Sequence, residues 1–293
     1  MWRQLSVATD QGTAEAVADR LSDLGALSVS LEDEGDQPLL EPKPGETPIW
    51  NHTRVIGLFE ADKDLAAIRS DLIEHFPDRF DAWREEEIQD QAWERAWLEH
   101  FKPMPFGRRL WIVPTGYPAP EQEDAVCVSL DPGLAFGTGT HPTTALCLEW
   151  LDGLDLRGKT VLDYGCGSGI LAVAALLLGA DSAIGTDIDP QALTATEDNA
   201  RKNEVLERLT ICHPKHLPAG PVDVLVANIL ANPLIELAES LAVLVKPSGE
   251  LALSGILREQ AEAVKLAYQP WFEMNEPDFL EDWSRLSGIR RGD

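Results

Sequence analysis

Residues 161–171 have the sequence Val161-Leu162-Asp163-Tyr164-Gly165-Cys166-Gly167-Ser168-Gly169-Ile170-Leu171. An apolar run typical of a buried strand is followed by three alternating glycines and then by an apolar segment typical of a helix. Glycines at such a turn let the backbone approach a ligand closely, and the first turn of the helix offers unpaired N–H groups. The pattern predicts a ligand-binding turn at the end of a strand; a tight turn without any ligand is the alternative.

The spacing of the glycines distinguishes between nucleotide ligands. It is G-x-G-x-G, whereas dinucleotide-binding folds have G-x-G-x-x-G, and no G-K-[ST] follows as it would in a P-loop. Asp163 stands two residues before the first glycine, where a carboxylate disfavours phosphate but suits a ligand with a cationic amino group and a sulfonium. The turn therefore argues against a nicotinamide-dependent reductase, which stays open as a competing hypothesis.

A second acidic residue follows at the end of the next predicted strand. Asp187 comes 18 positions after Gly169, where a carboxylate can accept hydrogen bonds from both hydroxyls of a ribose. Asp187 could instead cap the helix that follows. Asp189 is the better candidate for that cap, because Pro190 comes directly after it and suits the first helical position.

From residue 159 onward, predicted strands and helices alternate. The strands are apolar runs, as expected for a parallel sheet with helices on both faces. We predict strands at 159–164, 182–188, 222–228 and 250–254, helices at 170–178, 190–203, 233–245 and 258–267, and two last strands at 271–273 and 283–289.

The first third of the chain has a different pattern and a different charge. Predicted strands at 2–9, 26–31, 54–60 and 80–86, with helices at 13–24 and 65–76, give the β-α-β-β-α-β order of a ferredoxin-like α+β domain. Residues 1–100 carry 9 basic and 23 acidic side chains, a net charge of −14, and the other 193 residues carry −12. We expect a small domain at 1–90, a linker helix and connection at 91–110, and a larger domain at 111–293.

Three aromatic residues, Trp93, Trp97 and Phe101, recur at helical spacing within this linker. They predict a helix that packs on a neighbouring domain, or alternatively an aromatic face that binds a peptide.

Composition excludes several classes of function. The net charge of −26 disfavours nonspecific binding to nucleic acids or to anionic membranes. No apolar run is long enough to span a membrane, and the first residues lack the pattern of a secretory signal. The four cysteines are dispersed without a C-x-x-C pair, which gives no support to a zinc or redox site. We expect a cytoplasmic monomer that binds no metal, no nucleic acid and no membrane.

The glycine turn and the acidic residue one strand later resemble the first two motifs of class I S-adenosylmethionine-dependent methyltransferases. The similarity covers about residues 130–290. It implies a Rossmann-like sheet of seven strands with an antiparallel last strand, and S-adenosylmethionine as the methyl donor. It also implies that Gly165 and Gly167 surround the methionine part of the cofactor, that Asp163 lies near its amino group, and that Asp187 binds the ribose.

Two further segments indicate which family of class I methyltransferases the chain resembles. Residues 131–144 form a Gly- and Thr-rich segment, Asp-Pro-Gly-Leu-Ala-Phe-Gly-Thr-Gly-Thr-His-Pro-Thr-Thr, which could fold over the cofactor with Phe136 among its contacts. Residues 228–231 are Asn-Ile-Leu-Ala, where enzymes that methylate glutamine side chains or nucleobases have N-P-P-Y or D-P-P-Y. Both segments resemble those of the bacterial ribosomal protein L11 methyltransferases, a family in which the positions of Thr144, Gly165, Asp187 and Asn228 contact the cofactor.

This resemblance spans essentially the whole chain and implies a reaction. The family transfers methyl groups to the N-terminal α-amine and lysine ε-amines of a large-subunit ribosomal protein. Ribosomal proteins are typically basic, which fits an acidic domain that recognises the substrate. Two alternatives remain: a class I methyltransferase that acts on another protein or a small amine, and a noncatalytic ribosomal-protein binder.

The chemistry of amine methylation suggests roles for individual residues. A lysine amine has a free pKa of about 10.4, so only about 1 in 2,500 is neutral and nucleophilic at pH 7. We therefore expect a dry pocket near Asn228, Ile229 and Phe136, with Asn228 orienting the amine unless it only caps a helix or strand end. His141 is a candidate general base or a structural hydrogen bonder, and Cys166 a small space-filling residue.

Overall fold

The computed structural model describes residues 2–35, 49–88, 102–130 and 141–292. The chain divides into two compact units, Met1–Trp97 and Leu98–Asp293. The predicted linker helix with its three aromatic residues lies outside the described residues, and so does the segment 131–140 that includes Phe136. Within the described residues, no helix has the length and hydropathy needed to cross a membrane.

The first unit has the ferredoxin-like order predicted from the sequence. Its elements are β1 (Trp2–Asp10), α1 (Gln11–Asp23), β2 (Ser28–Asp33), β3 (His52–Glu60), α2 (Leu65–His75) and β4 (Trp83–Ile88). The strands form an antiparallel sheet in the order β2-β3-β1-β4. Alternate residues of β1 and β3, such as Leu5 and Phe59, are buried in one core with Val17 and Leu21 of α1.

Two strands of this unit begin later than predicted. The N–H of Ala26 donates to the carbonyl of Leu21, so Ala26 completes the end of α1 and β2 begins at Ser28. Phe80 packs edge-on against Phe76 and Trp83 at the start of β4, and does not itself belong to the strand.

The second unit opens with a small sheet that the sequence did not predict. It consists of β5 (Met104–Phe106), β6 (Leu110–Val113) and β7 (Val126–Ser129), paired in that order, and is followed by α3 (Pro142–Asp152). Strands of three or four residues are too short for their hydrophobic alternation to be distinguished from loop sequence.

The main sheet has the predicted parallel organisation. Its elements are β8 (Thr160–Tyr164), α4 (Ile170–Leu177), β9 (Ser182–Thr186), α5 (Pro190–Lys202), β10 (Leu209–Cys212), β11 (Val222–Asn228), α6 (Ala231–Glu236), α7 (Ala238–Ala242), β12 (Val245–Leu257), α8 (Ala261–Tyr268), β13 (Phe272–Met274), β14 (Asp278–Leu280) and β15 (Trp283–Arg290). The strand order is β10-β9-β8-β11-β12-β15-β13, with β15 antiparallel to its neighbours. The predicted seven-stranded Rossmann-like sheet is thereby confirmed; the three-residue strand β14, which pairs with β15, adds an eighth strand within the described part of the chain.

Helices cover both faces of this sheet, which explains why its strands are apolar runs. Val161 of β8 packs into a core with α3 and α4, whereas the next residue, Leu162, packs into a second core with α6, α7 and α8. The sheet is thus packed between two hydrophobic cores.

Two predictions in this region were wrong in detail. The single helix expected at 233–245 is two short helices, because Leu237 has φ −89° and ψ 0° and ends the first of them. The strand expected from residue 250 begins at Val245. Its pairing with β11 shifts register between Val222, which pairs with Val245, and Val224, which pairs with Glu250. The segment of β12 between those two pairs contains Ser248 with φ 63°.

Candidate functional site

A cavity of about 390 Å³ opens at the carboxyl ends of β8, β9 and β11. From β8 the chain first builds outward to β9 and β10, and then crosses to the other side of β8 to form β11. Ligands of open α/β sheets bind at such a reversal of strand order, because the connections on its two sides diverge and leave a crevice. Five of the residues that the sequence analysis assigned to the cofactor line this cavity: Thr144, Gly165, Gly167, Asp187 and Asn228.

Two glycines shape the floor of the cavity around Ile229. Gly165 follows β8 with φ +80°, and a Cβ atom there would overlap the side chain of Ile229. Gly255 of β12 has φ +82°, and a Cβ atom there would overlap the backbone of Ile229. Since β8 and β12 flank β11, these two positions let the segment after β11 lie directly against its neighbours.

Asp187 is held at the cavity wall by backbone groups. Its Oδ2 accepts from the N–H of Gly167 at 3.0 Å, and its Oδ1 accepts from the N–H of Asp189 at 3.0 Å. Each carboxylate oxygen can accept a second hydrogen bond, so both remain able to bind a ligand hydroxyl. The cap of α5 is Asp189, whose Oδ1 accepts from the N–H of Gln191 at 2.8 Å with Pro190 at the first helical position.

Asn228 and Thr144 meet across the cavity wall. The amide Nδ2 of Asn228, the last residue of β11, donates to Oγ1 of Thr144 in the first turn of α3 at 3.2 Å. Thr144 is buried and Asn228 is half-buried. This bond fixes the side chain of Asn228 with its nitrogen turned towards α3, which makes its amide oxygen the group available to a ligand.

Asp163 lies behind the glycine turn and is not among the residues that line the cavity. It is 1% exposed, and its Oδ2 accepts from the N–H of Ala172 in α4 at 3.1 Å. Its Oδ1 is buried without a hydrogen-bond partner among the described residues. Burial raises the pKa of Asp163 to about 7, opposed by the bond from Ala172 and reinforced by the charge of Asp187. This geometry therefore disfavours a direct contact between Asp163 and the amino group of a ligand.

His141 is a structural residue in this geometry. Its ring accepts from the N–H of Thr143 and so caps α3, and it packs edge-on against Trp283 with 4.7 Å between ring centroids. Burial lowers the pKa of His141, opposed by the charge of Glu281. His141 does not line the cavity, so the capping role accounts for it better than the role of a general base.

Much of the rest of the cavity wall is apolar among the residues that the structure describes. Its apolar lining includes Ile188, Pro214, Ile229, Leu230 and Leu237. The side chain of Ile188 is 76% exposed. Within the described part of the chain, neither Lys nor Arg lines the cavity. Phosphate groups would lack a cationic partner there, whereas a nucleoside with a positive charge and a flat apolar base suits the wall.

Sequence reasoning missed part of this wall. Pro214 follows β10, a strand too short to be recognised from its sequence, and Leu237 belongs to the break between α6 and α7. Ile188 could have been predicted as a ligand contact from the sequence, because it is a large apolar residue between two aspartates in a polar turn. No group of three or more His, Cys, Asp or Glu side chains suited to a metal is found among the described residues.

The chain is similar to known proteins over nearly its whole length. The family model for ribosomal protein L11 methyltransferase (PrmA) matches residues 1–291. The chain is 60% identical over 293 residues to the ribosomal protein L11 methyltransferase of Methylococcus capsulatus, covering 99% of this chain and 100% of that protein. It is 52% identical over 302 residues to the protein of the same name from Marinobacter nauticus, with 99% of each covered. The crystal structure of a ribosomal protein L11 methylase from Lactobacillus delbrueckii subsp. bulgaricus is similar with a TM-score of 0.60 and 34% identity, covering 66% of this chain and 100% of that one.

Proposed function

Because the chain belongs to the ribosomal protein L11 methyltransferase family, we propose that it transfers methyl groups from S-adenosylmethionine to amines of ribosomal protein L11. The acceptors are its N-terminal α-amine and its lysine ε-amines, and the reaction takes place in the cytoplasm. The observation that carries this proposal is the cavity in which Asp187, the glycine turn and Asn228 converge without a cationic side chain among the described residues.

The residues of the cavity fit the cofactor. The two carboxylate oxygens of Asp187 are fixed by backbone N–H groups and retain acceptor capacity for the two ribose hydroxyls. The exposed side chain of Ile188 offers an apolar surface for the base beside that ribose. When bound, S-adenosylmethionine supplies a methyl group on a positively charged sulfur, so the protein's contribution is mainly alignment and exclusion of water.

Asn228 is the residue best placed to orient the acceptor amine. Its Nδ2 is committed to Thr144, which leaves its Oδ1 to accept from an amine N–H and so to direct the nitrogen lone pair. Ile229 and Leu230 follow it on the cavity wall. An apolar surrounding lowers the pKa of an amine, because burial disfavours the charged form, and raises the neutral fraction that can attack.

The acidic residues of the chain act at longer range. Carboxylates close to the amine would stabilise its charged form and slow the reaction. The net charge of −14 on residues 1–100 would instead speed the encounter with a basic ribosomal protein, an effect that falls as ionic strength rises. Residues 1–90 therefore fit the role of a substrate-recognition domain.

The proposal is tested by mass spectrometry of purified ribosomal protein L11 before and after incubation with the enzyme and S-adenosylmethionine. We expect mass increments of whole methyl groups that map to lysines and to the N-terminus. Unchanged L11, together with methylation of an unrelated protein or a small amine in the same assay, would favour the alternative of a methyltransferase with another substrate. Unchanged masses for every acceptor would overturn the enzyme assignment.

Replacing Asn228 with alanine tests the role of that residue. We expect kcat for methyl transfer to fall about tenfold or more, because the amine loses the acceptor that orients it. Asn232→Ala is the matched control, since Asn232 is exposed on α6 and does not line the cavity. If Asn228→Ala leaves both kcat and cofactor affinity within about twofold of the wild type, the assignment is wrong.

A further inference from the structure

Helix α5 contacts the glycine turn with two side chains that the sequence analysis did not single out. Thr196 is fully buried, and its Oγ1 donates to the carbonyl of Gly167 at 3.0 Å. Asn199, three residues later on the same face, donates from Nδ2 to the carbonyl of Ser168 at 2.8 Å. The conformation of the turn thus depends on a helix that follows the ribose carboxylate in sequence.

Thr196 also contacts the thiol of Cys166, with 3.3 Å between Sγ and Oγ1. A hydroxyl has one proton to donate, and that of Thr196 is used by Gly167, so the thiol is the donor in the contact with Cys166. Burial raises the pKa of the Cys166 thiol, which keeps its proton available for this bond. Cys166 is therefore a hydrogen-bond donor as well as the small space-filling residue expected from the sequence.

These contacts continue to the cavity wall through the backbone of a single residue, Gly167. Gly167 accepts from Thr196 at its carbonyl and donates from its N–H to Oδ2 of Asp187. The other carboxylate oxygen of Asp187 is held by Asp189, which does not depend on the turn. The N–H of Asp189 thus orients one oxygen of the Asp187 carboxylate. Thr196 orients the other oxygen indirectly, because it holds Gly167.

We propose that Thr196 is a positioning residue for cofactor binding, which holds Gly167 so that Asp187 presents both carboxylate oxygens to the ribose hydroxyls. This inference rests on the proposed function, because it assumes a nucleoside cofactor in the cavity. Without the hydroxyl of Thr196, the carbonyl of Gly167 loses its buried partner and the N–H that fixes Asp187 is no longer held in place.

The competing explanation is that Thr196 only packs beneath the turn. Its Cγ2 methyl group lies against Gly169 and Gly185, where an added Cβ would approach it to 2.7 Å and 3.4 Å. A packing role would affect every ligand of the cavity equally. A positioning role that acts through Asp187 affects only ligands that have ribose hydroxyls, and this difference can be measured.

The experiment compares two ligands with four proteins. Titration calorimetry gives the dissociation constants of S-adenosylhomocysteine and of its 2′,3′-dideoxy form for the wild type, Thr196→Val, Thr196→Ser and Thr194→Val. The last variant is the matched control, because exposed Thr194 on the same helix donates to the carbonyl of Pro190 and bonds no other group among the described residues. We expect Thr196→Val to weaken S-adenosylhomocysteine about tenfold and the dideoxy form less than about twofold, with Thr196→Ser and Thr194→Val near the wild type.

Two results would overturn the inference: an equal loss for both ligands in Thr196→Val, or a Thr196→Ser variant that binds as weakly as Thr196→Val. If Thr196→Val does not fold, Thr196→Ala takes its place with the same comparison and the same criteria. Failure of the wild type to bind S-adenosylhomocysteine would instead contradict the proposed function, so the two failures are distinguishable.

Discussion

Replacement of Asp187 with alanine is expected to weaken the binding of S-adenosylhomocysteine at least about 100-fold. The variant loses the two hydrogen bonds that the carboxylate would make to the ribose, and hydrogen bonds to a charged group contribute about 1.5–3 kcal/mol each. It also leaves the N–H of Gly167 without its acceptor, so the glycine turn is less well held. A loss of about 1.4 kcal/mol corresponds to a factor of ten in affinity, so the two ligand bonds alone account for the expected change.

The control for this variant is Asp189→Ala, two residues further on. Asp189 caps α5 through the N–H of Gln191 and does not line the cavity. Loss of an N-cap lowers stability by about 1 kcal/mol, but it should leave the dissociation constant within about threefold of the wild type. Calorimetric titration of both variants measures the contrast. Equal effects of the two substitutions would show that Asp187 has no special relation to the ligand.

Replacement of Asp163 with asparagine is expected to stabilise the protein at pH 8 and to have little effect at pH 4. Burial raises the pKa of Asp163 from 3.8 to about 7, so the folded state favours the neutral carboxyl while the unfolded chain ionises freely. A raised carboxyl pKa contributes stability that is present below pH 3.8 and is lost as the pH rises through about 7. The difference between the two pKa values corresponds to a loss of about 4 kcal/mol in the free energy of unfolding as the pH rises. An uncharged asparagine does not ionise and avoids this loss.

Asparagine also preserves the local geometry at this position. Its amide oxygen can accept from the N–H of Ala172 as Oδ2 of Asp163 does. Urea denaturation of the wild type and of Asp163→Asn between pH 4 and pH 8 measures the effect, with Asp198→Asn on the exposed face of α5 as the control. A stability difference that does not grow with pH would contradict the raised pKa.

The same variant separates two roles for Asp163. The resemblance to class I methyltransferases implies that this residue lies near the amino group of the cofactor, whereas the structure buries it behind the turn. We propose that Asp163 supports the start of α4 and does not bind the cofactor directly. Affinity for S-adenosylhomocysteine should then change less than about threefold in Asp163→Asn; a loss of tenfold or more would restore the direct contact.

Much of the fold was predictable because its signals are local. The strand, glycine turn and helix of residues 161–171 and the apolar runs of β9 and β11 follow from patterns of a few residues each. The break at Leu237 and the register shift between β11 and β12 were not predictable, because no pattern of a few residues marks either of them. The strands β5, β6 and β7 were missed because three or four residues are too few for hydrophobic alternation to be recognised.

The site was predictable to a lesser extent than the fold. Motif positions such as Gly165 and Asp187 were found because their chemistry is tied to their place after a strand. The partners that hold them were not found, since Thr196 and Gly255 reach the site only through the tertiary structure. Asp163 illustrates the reverse case: the resemblance implied a place near the amino group of the cofactor, whereas the structure buries this side chain behind the glycine turn.

The central claim is that the cavity beside the glycine turn binds a cationic sulfur nucleoside. Titration of the wild-type protein with S-adenosylmethionine, and separately with NADH, tests it most directly. We expect saturable binding of one S-adenosylmethionine per chain and no detectable heat of binding for NADH. Absence of S-adenosylmethionine binding, or tighter binding of NADH, would contradict it.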